Sequence, residues 1–349
     1  MEFILPAAIS FLITVLCLPP TISFARRFNL LDDPKLRPHP AHTQKRTVPR
    51  AGGLAVFITL ISSILIFIPF NKTIAGILVS LTILLCVGLL DDKYQKLSPY
   101  LRLFSQFIAA VVVVSTGTTI NFVTNPFGGI IHLDIAMLLP DILAIAWIVW
   151  VMNMINWSKG VDGQMPGIVT VAAFVLGLLS LKLNFMQDPT QANVAKLAFI
   201  TAGASLGLLI FNWYPAKIFP GFSGSTILGF MIAVLAILSG GKVATAGLVL
   251  IIPATDFAYT FLRRILQGKS PVWGDRGHLH HRLLEQGFTH QQISLFYIFG
   301  SAILGAAALK LSSGGKLFAA LLVGSAILGV ILWLNFFGQF LNRRDPDNG

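Results

Sequence analysis

"TIAGILVSLTILLCVGLLDDKYQKLSP", residues 73 to 99, begins with a run that carries no charged side chain up to Leu90 and then places two carboxylates side by side, Asp91 and Asp92. The hydrocarbon core of a bilayer takes about 20 apolar residues to cross as a helix. Residues 73–90 therefore predict a spanning helix whose end carries a polar site.

The same pattern repeats along the chain. Further apolar runs of spanning length lie near 3–25, 52–70, 101–119, 138–156, 165–183, 194–211, 224–239, 243–261, 292–311 and 316–337. Together they predict an all-α polytopic integral membrane protein with about 11 transmembrane helices. Composition agrees: of 349 residues, 55% are hydrophobic and 11% charged, where a soluble domain carries about 25% charged residues. The mean hydropathy is +0.79.

The net charge of +11 does not form a nucleic-acid patch, because the basic residues sit between apolar runs without aromatic partners. Of the 25 Lys and Arg, 19 fall on the side of the loops that follow the odd-numbered runs. The positive-inside rule makes that side cytoplasmic, so the expected location is the plasma (inner) membrane, crossed many times. The first run starts Met1-Glu2-Phe3 and is followed by Arg26 and Arg27, which reads as a spanning helix rather than a cleaved leader. Cys17 and Cys86 lie within apolar runs, a spacing that fits neither a disulfide framework nor zinc. The longest opposite loop, 120–137, holds Gly128-Gly129 and no Lys or Arg. No repeat, low-complexity segment or second domain interrupts residues 1–349, so function is expected at the cytoplasmic face or within the helices.

Four stretches there carry chemistry. Asp91 and Asp92 suit Mg²⁺, which takes one or two carboxylates plus substrate phosphates, although the pair also reads as a solvated helix end beside Lys93 and Lys96. In "NMINWSKGVDGQMPG", residues 153–167, Asn153, Asn156 and Lys159 share a helical side, and Asp162 sits between Gly160 and Gly163. In "SPVWGDRGHLHHRLLEQG", residues 270–287, Asp275, Arg276, His278, His280, His281 and Arg282 crowd together, donors suited to pyrophosphate and sugar oxygens. The loop 30–53 offers Lys35, Arg37, Lys45, Arg46 and Arg50 to a nucleotide or to anionic headgroups.

In this order the pieces resemble the polyprenyl-phosphate N-acetylhexosamine-1-phosphate transferases, membrane enzymes that start lipid-linked glycan synthesis. The resemblance spans nearly the whole chain. It rests on Pro49, Arg50, Gly52 and Gly53, on Asp91-Asp92, on the turn from Asn156 to Gly163, on "PAKIF" (215–219) and on "DRGHLHHRL" (275–283). The last is similar to the branch that uses UDP-N-acetylglucosamine or related sugars.

The resemblance implies one transmembrane transferase domain. A polyprenyl phosphate would attack the sugar-linked phosphorus of a UDP-sugar, releasing UMP. Asp91, Asp92 and Asp162 would be catalytic, with Asp91 and Asp92 on the metal. Lys45, Asn156, Lys159, Arg276, His278, His280 and His281 would bind substrate, and an apolar groove would hold the prenyl chain. The implied partners are polyprenyl phosphate, a UDP-sugar and the membrane, with no nucleic acid. A homodimer stays open.

Two positions depart from the family pattern. Its turn reads Asn-Leu-x-Asp-Gly-x-Asp-Gly, and "NWSKGVDG" puts Lys159 at the first Asp. Its glycine loop reads Met-Gly-Asp-x-Gly-Ser with the Asp on Mg²⁺, and "PGFSGS" puts Phe222 there. Lys159 standing in for metal charge is one reading. A catalytically inactive homologue that still binds lipid or nucleotide sugar is another. A lipid transporter or scramblase is a third, and it would place polar residues in mid-membrane.

Overall fold

The computed structural model describes residues 1–35, 43–44, 46–133, 138–185, 188–240, 242–270 and 277–336. Each of the eleven apolar runs forms helix. In chain order these are α1 (Ile4–Arg27), α2 (Gly52–Phe67), α3 (Lys72–Tyr94), α4 (Pro99–Val114), α5 (Leu139–Trp157), α6 (Gln164–Phe185), α7 (Gln191–Asn212) and α8 (Gly221–Leu238). Then follow α9 (Val243–Val249), α10 (Ile251–Leu266), the short α11 (Leu279–Glu285), α12 (His290–Lys310) and α13 (Ser313–Phe336). Among the described residues, eight helices are long and apolar enough to cross a membrane, and α9 with α10 makes a ninth if taken as one span. The chain is a multi-pass membrane protein.

Three of the expected runs differ in detail. The run 243–261 is not one straight span: α9 and α10 meet at an angle of 84°. Pro253 explains the break, since it lacks the N–H that would reach Val249 and its ring crowds that carbonyl. The runs 52–70 and 101–119 yield helices of only 16 residues each. The first stops at Phe67, just before the Ile68-Pro69 step, where helical backbone is disfavoured. The second stops before a turn whose Gly117 takes φ +101°. The opposite-side loop also holds structure that its apolar and polar pattern did not reveal, an antiparallel hairpin of β3 (Phe122–Thr124) and β4 (Ile130–His132) turning at Gly128-Gly129.

The short run from 224, the least regular in length, becomes the centre of the molecule. All residues of α8 from Gly221 to Ile237 are buried, and α2, α3, α5, α6, α7 and α9 all pack against it. A helix apolar on every side belongs in such a place.

Its start is stitched to the end of the first loop. β1 (Leu31–Asp32) pairs with β2 (Val48–Pro49), and Phe219 N–H donates to Pro49 while Gly52 and Gly53 N–H donate to Phe219 and Pro220. Gly53 has no room for a side chain, because a Cβ there would enter Ser223 and Gly224. Two segments far apart in sequence, Pro49–Gly53 and Phe219–Gly224, are thereby held backbone to backbone beneath the end of α3.

Candidate functional site

The first turn of α8 has the unpaired N–H groups of any helix start, and its own N-cap residue, Pro220, has no side chain to satisfy them. Asp92 of α3 does so from outside. Its Oδ1 accepts from Phe222 N–H at 2.6 Å and from Arg50 Nε at 3.1 Å; its Oδ2 accepts from Ser223 N–H at 3.2 Å and from the Ser223 hydroxyl. Gly221 makes the approach feasible, with φ +74° and no space for a Cβ beside the Asp92 carboxylate.

Asp91, one residue earlier, points elsewhere. Its carboxylate lies 2.7 Å from Arg102 of α4 and 3.6 Å from Arg50. Both carboxylates are fully buried. Arg50 also lies 4.0 Å from Asp32. Burial works against the Arg50 charge, but Asp92, Asp32 and Asp91 outweigh it and hold the guanidinium above its ordinary range.

Above these carboxylates opens a cavity of about 1450 Å³. Arg50, Arg102, Lys159 and Phe222 line its floor, whereas Asp91 and Asp92 lie behind them and do not reach it. Neither carboxylate of this acidic pair is among the lining residues, and guanidinium groups lie beside both. Lys159 follows the end of α5 and its Nζ donates to Asn156 Oδ1 at 2.6 Å and to Gly221 O at 3.3 Å. Asn156 Oδ1 also accepts from the Ser225 hydroxyl at 2.8 Å. Burial and the nearby Arg50 bring the Lys159 ammonium down from 10.5 to about 7, against the pull of Asp92 and Asp91.

The two departures noted in the sequence face each other. The Lys159 ammonium sits 5.9 Å from the centroid of the Phe222 ring and the Arg102 guanidinium 5.6 Å from it, both within reach of the ring's negative face.

The histidine segment forms another wall. His278, His280 and His281 all line the cavity, with His278 and His280 stacked at 5.4 Å and His280 and His281 4.4 Å apart. Burial, then the neighbouring imidazoles, hold His280 well below its usual range, so it is neutral. Asp256 of α10 orients this wall: one oxygen lies 3.1 Å from His278 Nδ1 and the other accepts Leu279 N–H at 2.8 Å, capping α11.

Asp162 lines the same cavity but is itself well occupied. Its carboxylate accepts Ala216 N–H at 2.9 Å and lies 3.6 Å from Arg46, and its carbonyl accepts from Ser294. Burial raises its carboxyl, opposed by the Ala216 N–H, His290 and Arg46. Lys45 and Arg276 lie outside the described residues.

Three contributors escaped the sequence reading as site residues. Arg102 counted there among the basic residues of the cytoplasmic side, Asp32 lay in the loop 30–53 without being singled out, and Asp256 fell inside a predicted span. Only Asp256 carried a usable signal, a single carboxylate inside an apolar run.

The cavity has a second, apolar half. Leu103 and Phe107 of α4, Ile145 and Val149 of α5, and Phe257 and Phe261 of α10 form a groove continuous with the cationic floor. Phe107, Ile142 and Leu262 line it and are 46%, 58% and 57% exposed. The groove is therefore open and not a sealed core.

Residues 74–240 match the model of glycosyl transferase family 4. A probable undecaprenyl-phosphate N-acetylglucosaminyl 1-phosphate transferase of Bacillus subtilis is 31% identical over 307 residues, 85% of this chain and 82% of the relative. A decaprenyl-phosphate N-acetylglucosaminephosphotransferase of Mycolicibacterium smegmatis is 28% identical, with coverage of 88% and 82%. An undecaprenyl-phosphate alpha-N-acetylglucosaminyl 1-phosphate transferase of Thermotoga maritima is 28% identical, with 74% of each chain covered.

Proposed function

The chain belongs to glycosyl transferase family 4, and we propose that it transfers an N-acetylhexosamine 1-phosphate from a UDP-sugar to a polyprenyl phosphate, releasing UMP at the cytoplasmic face of the plasma membrane. The observation that carries this is the union, in one cavity, of a cationic floor with an open apolar groove. A substrate with a phosphate head and a long hydrocarbon tail matches both halves.

The lipid phosphate oxygen forms the new P–O bond at the sugar-linked phosphorus. The bond from that phosphorus to the bridging oxygen breaks, and its electron pair leaves with UMP. A phosphate monoester has its second pKa near about 6, so at neutral pH the nucleophile is mostly dianionic and needs little help from a base. What it needs is relief from bringing three phosphates together, and such transfers rest on positioning and charge neutralisation. Arg50, Arg102 and Lys159 supply cations along the floor. His280, neutral and buried, and His278, held by Asp256, supply fixed polar atoms at the side. Trp157, against which Arg264 stacks at 4.7 Å, gives the donor an aromatic surface.

The test is a panel assay: purified protein, a polyprenyl phosphate and several UDP-N-acetylhexosamines, scored for UMP and for the lipid-linked product. Release from at least one donor is expected. Donor binding without release from any of them would refute transfer and leave a binding protein.

A further inference from the structure

A divalent cation in a diphosphate site is held by carboxylate oxygens with lone pairs to spare. An ionised carboxylate offers about four acceptor positions. Asp92 meets four donors: Phe222 N–H, Ser223 N–H, the Ser223 hydroxyl and Arg50 Nε. Asp91 lies 2.7 Å from Arg102 and 3.6 Å from Arg50, its oxygens make no hydrogen bond, and it is not among the residues that line the cavity. Among the described residues no group of three or more His, Cys, Asp or Glu is arranged to hold an ion. One saturated carboxylate and one set back behind guanidinium groups make a poor donor set for Mg²⁺.

Phe222 does more than leave a ligand out. Its ring is 2% exposed and is approached by both Lys159 and Arg102, an arrangement that an aromatic ring stabilises and an aliphatic side chain would not. Lys159 is further tied to Asn156, Gly221 O and Ser225. The two cations are thus fixed in position at the cavity floor before any substrate arrives, and a fixed charge in a water-poor site is the kind that stabilises a developing anion.

We infer that Lys159 and Arg102, held against the Phe222 ring, neutralise the substrate diphosphate in place of a divalent cation, so that this site binds and turns over its donor without one. The inference rests on reading the site as a sugar-1-phosphate transferase.

Two measurements on the full-length protein test it. The first is Mn²⁺ binding followed by electron paramagnetic resonance, with and without UDP-N-acetylglucosamine; wild type is expected to show no stoichiometric site at millimolar Mn²⁺. The second is the affinity for UDP-N-acetylglucosamine and the rate of UMP release in EDTA and in Mg²⁺, expected to agree within about twofold, well under the tenfold that 1.4 kcal/mol represents. Lys159→Gln should weaken donor binding by about ten- to a hundredfold, with no recovery on adding Mg²⁺. Phe222→Asp combined with Lys159→Asp should gain a Mn²⁺ site and become sensitive to EDTA. A stoichiometric Mn²⁺ site in the wild type, or donor binding abolished by EDTA, would overturn the inference. Absence of UMP under every condition would instead sink the transfer reading, while the Mn²⁺ and binding measurements still decide the role of metal.

Discussion

Asp92→Asn separates two carboxylates that look equivalent in the sequence. The Asp92 carboxylate caps α8 with four donors, two on each oxygen. An amide keeps one accepting oxygen and turns an NH₂ toward the other two donors. The Ser223 hydroxyl can rotate to accept, but a backbone N–H cannot. One buried N–H is orphaned, at about 1 to 3 kcal/mol, and the remaining bonds lose their charge assistance, roughly 1 kcal/mol each. The sum is about 3 to 6 kcal/mol. At about 2 °C per kcal/mol for a chain of this size, the melting temperature in detergent should fall by about 6 to 12 °C at a fixed scan rate. Asp91→Asn is the control. Neither of its oxygens accepts a backbone N–H and its nearest partner, Arg102, is 30% exposed, so the loss should be smaller, about 1 to 2 kcal/mol, and the melting temperature should fall by no more than about 4 °C. Equal losses in the two variants, or no loss in Asp92→Asn, would refute the assignment of Asp92 as the external cap of the central helix.

Asp256→Asn should lower kcat by about a hundredfold, the cost of misplacing a catalytic group by about an ångström, while donor affinity in a binding assay changes little. Combined with His278→Asn it should be no worse than His278→Asn alone, the sign of two residues acting as a unit. Val149→Trp fills the apolar groove and should raise KM for a long prenyl phosphate by about tenfold without affecting a short-chain analogue; equal effects on both would place the lipid elsewhere. The Lys159 ammonium, at about 7 in the empty site among Arg50, Arg102, Asp91 and Asp92, is present below that pH and lost above it. Donor affinity should therefore fall as pH rises through 7, by at most about tenfold per unit. Stability of the empty protein should move the other way, because between about 7 and 10.5 the unfolded chain binds the extra proton. Lys159→Gln should flatten both slopes, which calorimetry and thermal melts will show.

The helices were legible because hydropathy is a local property: each apolar run found a helix, and α8, the run with the least to distinguish it, is apolar on every face because it is central. The bend at Leu250 was written in Pro253, but a window average over 243–261 hides a single missing N–H. The stretches that meet at the cavity were legible too, since Asn156, Lys159, Asp162 and the three histidines all line it. The division of labour between Asp91 and Asp92 was not. Consecutive residues on a helix point about 100° apart, and which one meets α8 and which meets α4 depends on how α3 is rotated in the bundle. The contact between Lys159 and Phe222 was equally invisible, as each position was conspicuous alone but only the packing of α5 against α8 shows that they share a ring face.

The elbow between α9 and α10 shapes one wall of the cavity. By swinging α10 through 84°, it sends Phe257, Phe261 and Leu262 along one side of a slot instead of sealing the bundle. On the proposed reading, that slot gives a long hydrocarbon tail a bed beside the cations that would hold its phosphate.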